Sequence, residues 1–344
     1  MKSFRSLASA FAILAASTTI AHAEGKLALY HWFEYIPQSL LDKFAKEYDV
    51  EVTMDTFDSN EALLAALKAG KLGTYDVTVA ADYMVKILAA EGMLQPLDHA
   101  KLSNFGRIEK QWIDVPFDPG RQYSIPYQWG TTGFAVNRDA YKGDINTTDI
   151  LFNPPAELKG KINMLDAQGD LLALASMHLG IPQCTSDRAQ LKALNDLVMN
   201  AKADWASISS EIAKDVLVSG DAKAGMIWSG YSAKARAEGA NVEYAYPRQG
   251  YIYWMDNAVL LKDAPNPENG MKFLNFLMEP ENIAAISNYA RFPSAIEGAE
   301  KFMDKDLLAS PEVSPAESTH GAFVEACPKE VQVYYDAIWT NLKK

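Results

Sequence analysis

An acid set beside an aromatic ring recurs along this chain of 344 residues. Trp32 and Tyr35 flank Glu34 in the run "YHWFEY", Asp82 precedes Tyr83, and "YWMDN" places Trp254 two residues before Asp256. "NMLD" ends in Asp166, and "GMIWSG" presents Trp228. A carboxylate attracts cations but resists leaving water. An aromatic face adds about 0.5–2 kcal/mol of attraction for a cation and also covers methylenes. Acids at intervals in a box of tryptophans and tyrosines therefore suit a flexible aliphatic amine, with ammonium groups on carboxylates and the CH₂ chain on rings. Taken singly, such a pair is more often a core aromatic beside a helix cap. Several of them at strand ends favour a binding site.

Catalytic patterns are absent. There is no G-x-S-x-G, S-x-x-K, H-E-x-x-H or C-x-x-C sequence and no glycine-rich phosphate loop. The histidines, His22, His31, His99, His178 and His320, show no metal-ligand spacing. The chain is accordingly read as a binder without catalytic residues, metal or cofactor, with an enzyme on the same scaffold as the alternative of another class.

The site residues must be positioned by strand ends. "KLALYHW", "VEVTMDTF" and "YDVTVAA" read as strands. "PQSLLDKFAKEY", with Pro37 at its first turn, "SNEALLAALKAG", with Ser59 or Asn60 as cap, and "DYMVKILAAEG" read as helices. Alternating short strands and helices predict an α/β chain with a parallel sheet covered on both faces. Ligands of such sheets bind beyond the carboxyl ends of the strands, where Tyr30 to Tyr35 and Ala80 to Tyr83 fall. The Pro-, Gly- and aromatic-rich stretch before "TGFAVN" marks a crossing between two sections. The second section, roughly 132–253, contains "GKINMLD" and "AGMIWSG" as strands, and "IYWMDNAVLL" is a further strand. "PENGMKFLNFLMEPENIAAISNYA" and "FVEACPKEVQVYYDAIWTNLKK" each read as one helix.

Residues 1–23 have the form of a secretory signal peptide: Lys2 and Arg5, an apolar run from Leu7 to Ile20, and the small-x-small site Ala21-His22-Ala23. Removing those two cations takes the formal charge from −12 to −14, and an acidic chain is a poor partner for nucleic acid. A mature chain of about 320 residues exceeds the usual single domain, so two lobes are expected. The exported protein is expected in a bacterial periplasm, where Cys184 and Cys327 can form a disulfide, the alternative being two buried thiols.

Six segments in order carry a family resemblance: "LYHWFEYIP", "YDVTVAADYMVKILAAEGMLQPLD", "FDPGRQYSIPYQWGTTGFAVN", "GMIWSG", "YWMDN" and "RFPSA". Over nearly the whole mature chain they resemble the periplasmic spermidine- and putrescine-binding proteins of ABC importers. The resemblance implies a type II periplasmic-binding-protein fold with two hinged, discontinuous lobes, 25–131 plus 255–299 and 132–254 plus 300–344. It implies a monomer that closes on its ligand, docks on an inner-membrane permease and does no chemistry. It brings Trp32, Phe33, Glu34, Tyr35, Ala81, Tyr83, Asp166, Ser210, Trp228, Trp254, Asp256 and Phe292 to ligand-contacting positions. Asp256 would pair with an ammonium group, and Trp228 and Trp254 would sandwich the alkyl chain. Phe33, Ala81 and Phe292 replace hydroxyl residues usual in the family, and Gly169 replaces a second acid, with Asp170 adjacent. These departures favour putrescine over spermidine. They leave as an alternative an amine with a non-cationic end, such as γ-aminobutyrate, which would want Arg121, Arg248 or Arg291 turned inward. A chemoreceptor ligand-presenter would share the same binding step.

Overall fold

The computed structural model describes residues 25–57, 59–313, 315 and 320–344. The expected signal peptide lies outside them. Apolar spacing and capping set the local structure as the sequence suggests. The helix Gln38–Tyr48 follows Pro37, buries Leu40, Leu41 and Phe44 on one stripe and ends at Asp49 in the left-handed region. Ser59 caps the helix Asn60–Ala66 by accepting from the Ala62 amide.

Strands β1 (Gly25–Trp32), β2 (Val50–Phe57) and β3 (Val77–Ala81) run parallel, as expected. β4 (Asp114–Val115) and β5 (Asp118–Pro119) form a small antiparallel pair leading into β6 (Ser124–Asn137). Then come β7 (Ile162–Met164), β8 (Ser207–Ile208), β9 (Ala224–Trp228), β10 (Val242–Ala245), β11 (Tyr251–Leu260) and β12 (Gly321–Phe323). The sheet departs from the purely parallel expectation. Its order is β2-β1-β3-β11-β6-β9-β7-β8, with β11 antiparallel to both β3 and β6, and β6 antiparallel to β9 and β10. The parallel parts on either side are therefore joined by two long antiparallel strands.

Those two strands enter two separate cores. Ile125 and Tyr127 of β6 pack with Ala258 and Leu260 of β11 in a cluster that includes Leu27, Phe44 and Val77. Phe134, Ala135 and Val136 of β6 and Ile252 of β11 belong to another, with Ile162, Leu174 and Met226. The two clusters are the hearts of two lobes. The tail divides between them: Met303, Leu307 and Val313 join the first, and Val331, Tyr335, Ile338 and Leu342 the second.

Two long helices of the sequence reading are interrupted, both at proline. The first is split into Pro267–Leu277 and Pro280–Ala290, because Pro280 has no amide to continue the ladder and starts a new helix instead. In the tail, β12 pairs with β11, and the helix Lys329–Lys343 begins only after Pro328. Between them Cys327 is bonded to Cys184, with a Cα–Cα distance of 5.1 Å and 143 residues of separation. This bond ties the segment after β12 to the second lobe. In the chain-entropy description a loop of this length contributes about 5 kcal/mol. Unfolding with and without reductant should therefore show a clear loss of thermal stability on reduction. An unchanged melting temperature, with the thiols shown to be free, would contradict that role.

Candidate functional site

One cavity of about 950 Å³ opens at the carboxyl ends of β1, β3 and β9. All twelve residues singled out from the sequence line it: Trp32, Phe33, Glu34, Tyr35, Ala81, Tyr83, Asp166, Ser210, Trp228, Trp254, Asp256 and Phe292. β1 ends at Trp32, and the turn after it holds Glu34 at φ 49°, an uncommon conformation for a residue with a side chain. Both Glu34 and Phe33 are exposed at the mouth, with Phe33 68% accessible. β3 ends at Ala81, where the helix Asp82–Ala90 starts, and β9 ends at Trp228, where the helix Ser229–Ala237 starts.

β11 supplies the centre. Trp254 and Asp256 are two residues apart on a strand and so share a face. A register shift between Asp256 and Asn257 interrupts the ladder to β6 at that point. Opposite Trp254 stands Gly130, where an added Cβ would lie 2.4 Å from Trp254 Cζ2. The indole lies against bare backbone, a close approach that only glycine permits. Phe292 rests in the same way on Gly230, where a Cβ would come within 2.5 Å of its ring. Trp254 and Phe292 meet edge to face at 4.8 Å, and Trp228 meets Tyr231 at 5.6 Å. The Trp32 and Trp254 indole nitrogens and the Tyr35 hydroxyl are buried without a hydrogen-bond partner.

Three buried or half-buried carboxyls converge on this aromatic box. Burial pushes Asp82 up to about 8; amides of Met255 and Tyr83 pull it down, and nearby Asp256 and Asp170 push it up again. Burial likewise pushes Asp256 up to about 7. The Tyr35 hydroxyl pulls the other way without closing a bond of good geometry. Asp170 is raised by burial, partly offset by the Thr132 hydroxyl, which donates to it at 2.7 Å, and by the Trp228 indole. None of the three is paired with a lysine or arginine among the described residues. Behind the wall His31 packs on Tyr127, and burial pushes its imidazole down to about 4, which leaves it neutral.

Asp166 is placed differently. It lies exposed at the cavity edge, where Lys343 Nζ approaches its carboxylate at 2.6 Å, and its amide donates to Ser210 Oγ. Asp82 appeared in the sequence only as the acid before Tyr83, and neither Asp82 nor Asp170 was among the ligand-contacting positions the resemblance implied. For Asp170 the signal was its place beside Gly169. For Asp82 it was its adjacency to Tyr83 at the start of a helix. Tyr231 and Lys234 also line the cavity, and Lys234 lies 5.4 Å over the Tyr231 ring. The arginines that a carboxylate-ended ligand would need are engaged elsewhere. Arg121 is fully buried and donates to Trp112 O and Asn257 Oδ1, Arg248 pairs with Asp144, and Arg291 pairs with Asp304 and Asp306.

Residues 39–315 match the family model described as bacterial extracellular solute-binding protein. The spermidine/putrescine-binding periplasmic protein of Escherichia coli K12 is 33% identical over 304 residues, 88% of this chain and 85% of that protein. A putrescine-binding periplasmic protein of Pseudomonas aeruginosa is 32% identical over 336 residues, 92% of this chain and 91% of its own length. A solved spermidine/putrescine ABC transporter substrate-binding protein from Streptococcus pneumoniae superimposes with a TM-score of 0.83 at 27% identity, covering 93% of this chain and 98% of that one. A γ-aminobutyrate receptor, at 19% identity and a TM-score of 0.71, shares the fold. The chain belongs to the bacterial extracellular solute-binding proteins, in the spermidine/putrescine-binding group of ABC transporters.

Proposed function

We propose that the protein captures a short aliphatic diamine of the putrescine type in the periplasm and delivers it, as a monomer, to an inner-membrane permease. The observation that carries this reading is the convergence of Asp82, Asp170 and Asp256, none with a cationic partner among the described residues, in a cavity walled by Trp32, Tyr35, Trp228, Trp254 and Phe292. An ammonium group would supply the missing charge, and the rings would cover the methylenes. A ligand touching both lobes favours the closed form by its differential affinity, and closure is the signal to the permease. The site needs no chemistry for this. A carboxylate-ended ligand fits less well, because Arg121, Arg248 and Arg291 are engaged with other groups.

Calorimetry on ligand-stripped mature protein tests the reading. Putrescine should bind and γ-aminobutyrate should not; the reverse result would overturn the diamine assignment. Asp256→Ala should weaken diamine binding by about 2–5 kcal/mol, the range for removing one member of a buried charge pair, and unchanged affinity would remove Asp256 from the site.

Proton linkage gives a second test. The folded, empty protein holds protons on Asp82 and Asp256 up to about 8 and about 7, where an unfolded aspartate has let go near its ordinary value of 3.8. The folded state therefore binds more protons between those values, and the stability of the empty protein falls as pH rises through that window. Melting of the empty protein should show this loss from about pH 5 to about pH 8, and Asp256→Asn should shrink it. Diamine binding should release protons, seen as a binding heat that depends on the buffer's ionisation enthalpy. Buffer-independent heats would contradict the raised carboxyls.

A further inference from the structure

We propose that Lys343, the last residue of the helix Lys329–Lys343, occupies an outer ammonium position of the cleft and thereby limits the length of amine the protein accepts. The inference rests on the amine reading above and adds a specificity-determining residue to it. Asp166 and Trp339 both line the cavity. Lys343 Nζ lies 2.6 Å from Asp166 Oδ2 and 5.6 Å over the Trp339 ring. A carboxylate and an indole face around one ammonium repeat the chemistry of the inner box, with the cation supplied by the chain itself.

The backbone under Lys343 is held firmly. Cys327 anchors the segment before the helix to Cys184, Asp336 accepts from Gln168 at 2.9 Å, and the adjacent Leu342 is fully buried. The half-exposed side chain reaches from this anchored helix to the cavity edge. The side chains of the pair are 36% and 46% exposed, so the contact is weak and exchangeable. The inner carboxyls Asp82, Asp170 and Asp256 lack such a partner among the described residues, so the cleft has open acids inside and a filled one at its edge. A diamine held by the inner acids leaves Lys343 in place. A longer triamine reaching Asp166 with its distal ammonium must displace it.

The test compares putrescine and spermidine by calorimetry on wild type, Lys343→Met, Lys343→Arg and the double variant Lys343→Met with Asp166→Asn. Methionine keeps much of the aliphatic stem and removes the charge. Freeing a carboxylate for one charge-assisted bond should raise the spermidine-to-putrescine affinity ratio about tenfold in Lys343→Met. The ratio should stay near wild type in Lys343→Arg and return toward wild type in the double variant. An unchanged ratio in Lys343→Met, with wild type binding putrescine, overturns the role of Lys343 and leaves the diamine reading standing. An equal gain in the double variant overturns it as well, because Asp166 would not be the group released. If wild type and variants bind neither amine, the diamine reading fails and this proposal fails with it.

Discussion

The pairing of β6 with β11 is the constraint on which the rest of the structure depends. These two antiparallel strands enter a hydrophobic core of each lobe, so the lobes meet where they run side by side. Their register sets Gly130 against Trp254, and the irregularity after Asp256 falls between the two cores. Arg121 braces the crossing from beneath, joining Trp112 O to Asn257 Oδ1 with a guanidinium removed from solvent. A guanidinium has five donors and no acceptor, so a buried one must be surrounded by oxygens or equivalent groups. That requirement fixes β11 against the loop before β6. The side chains that face the cavity inherit this rigidity.

The site works against the ordinary economy of folding. Burying several acids close together without cations raises each other's proton affinity and lowers stability at neutral pH. The fold tolerates them because two keep polar support: amides for Asp82, a hydroxyl and an indole for Asp170. Aromatic rings fill the remaining wall, excluding water while leaving a face that a cation can use. Local destabilisation of the empty cleft is thus the same physical fact as affinity for a cationic guest.

Much of this was legible in the sequence, and what was not has identifiable causes. β1 to β3 and the helices after them follow from apolar spacing, Pro37 and the Ser59 cap, all local signals. The ring-and-acid pairs pointed to the cavity because strand alternation puts Trp254 and Asp256 on one face and because strand ends gather in α/β folds. The antiparallel insertion of β11 depends on pairing between distant segments, which local pattern does not encode. The long helices failed at Pro280 and Pro328, where a breaker was visible but apolar spacing on both sides suggested continuity. Asp170 was noticed but not chosen, since only the turn of the helix Gln168–Leu179 decides that it faces Thr132 and Trp228. Lys343 near Asp166 joins the two ends of the second lobe, a contact no spacing reveals.

The sheet order also dictates when the molecule can become a molecule. β3 is bordered on one side by β1 and on the other by β11, which lies far downstream in the chain. Until that strand is made, the first βαβ units have an open edge and an incomplete core that still lacks Ala258, Phe273 and Ile283. The second core likewise waits for Val331 to Leu342 at the very end. Neither lobe can close early, and contacts so distant in sequence form slowly. A nascent chain of this topology therefore lacks both of these cores until its last segments are made.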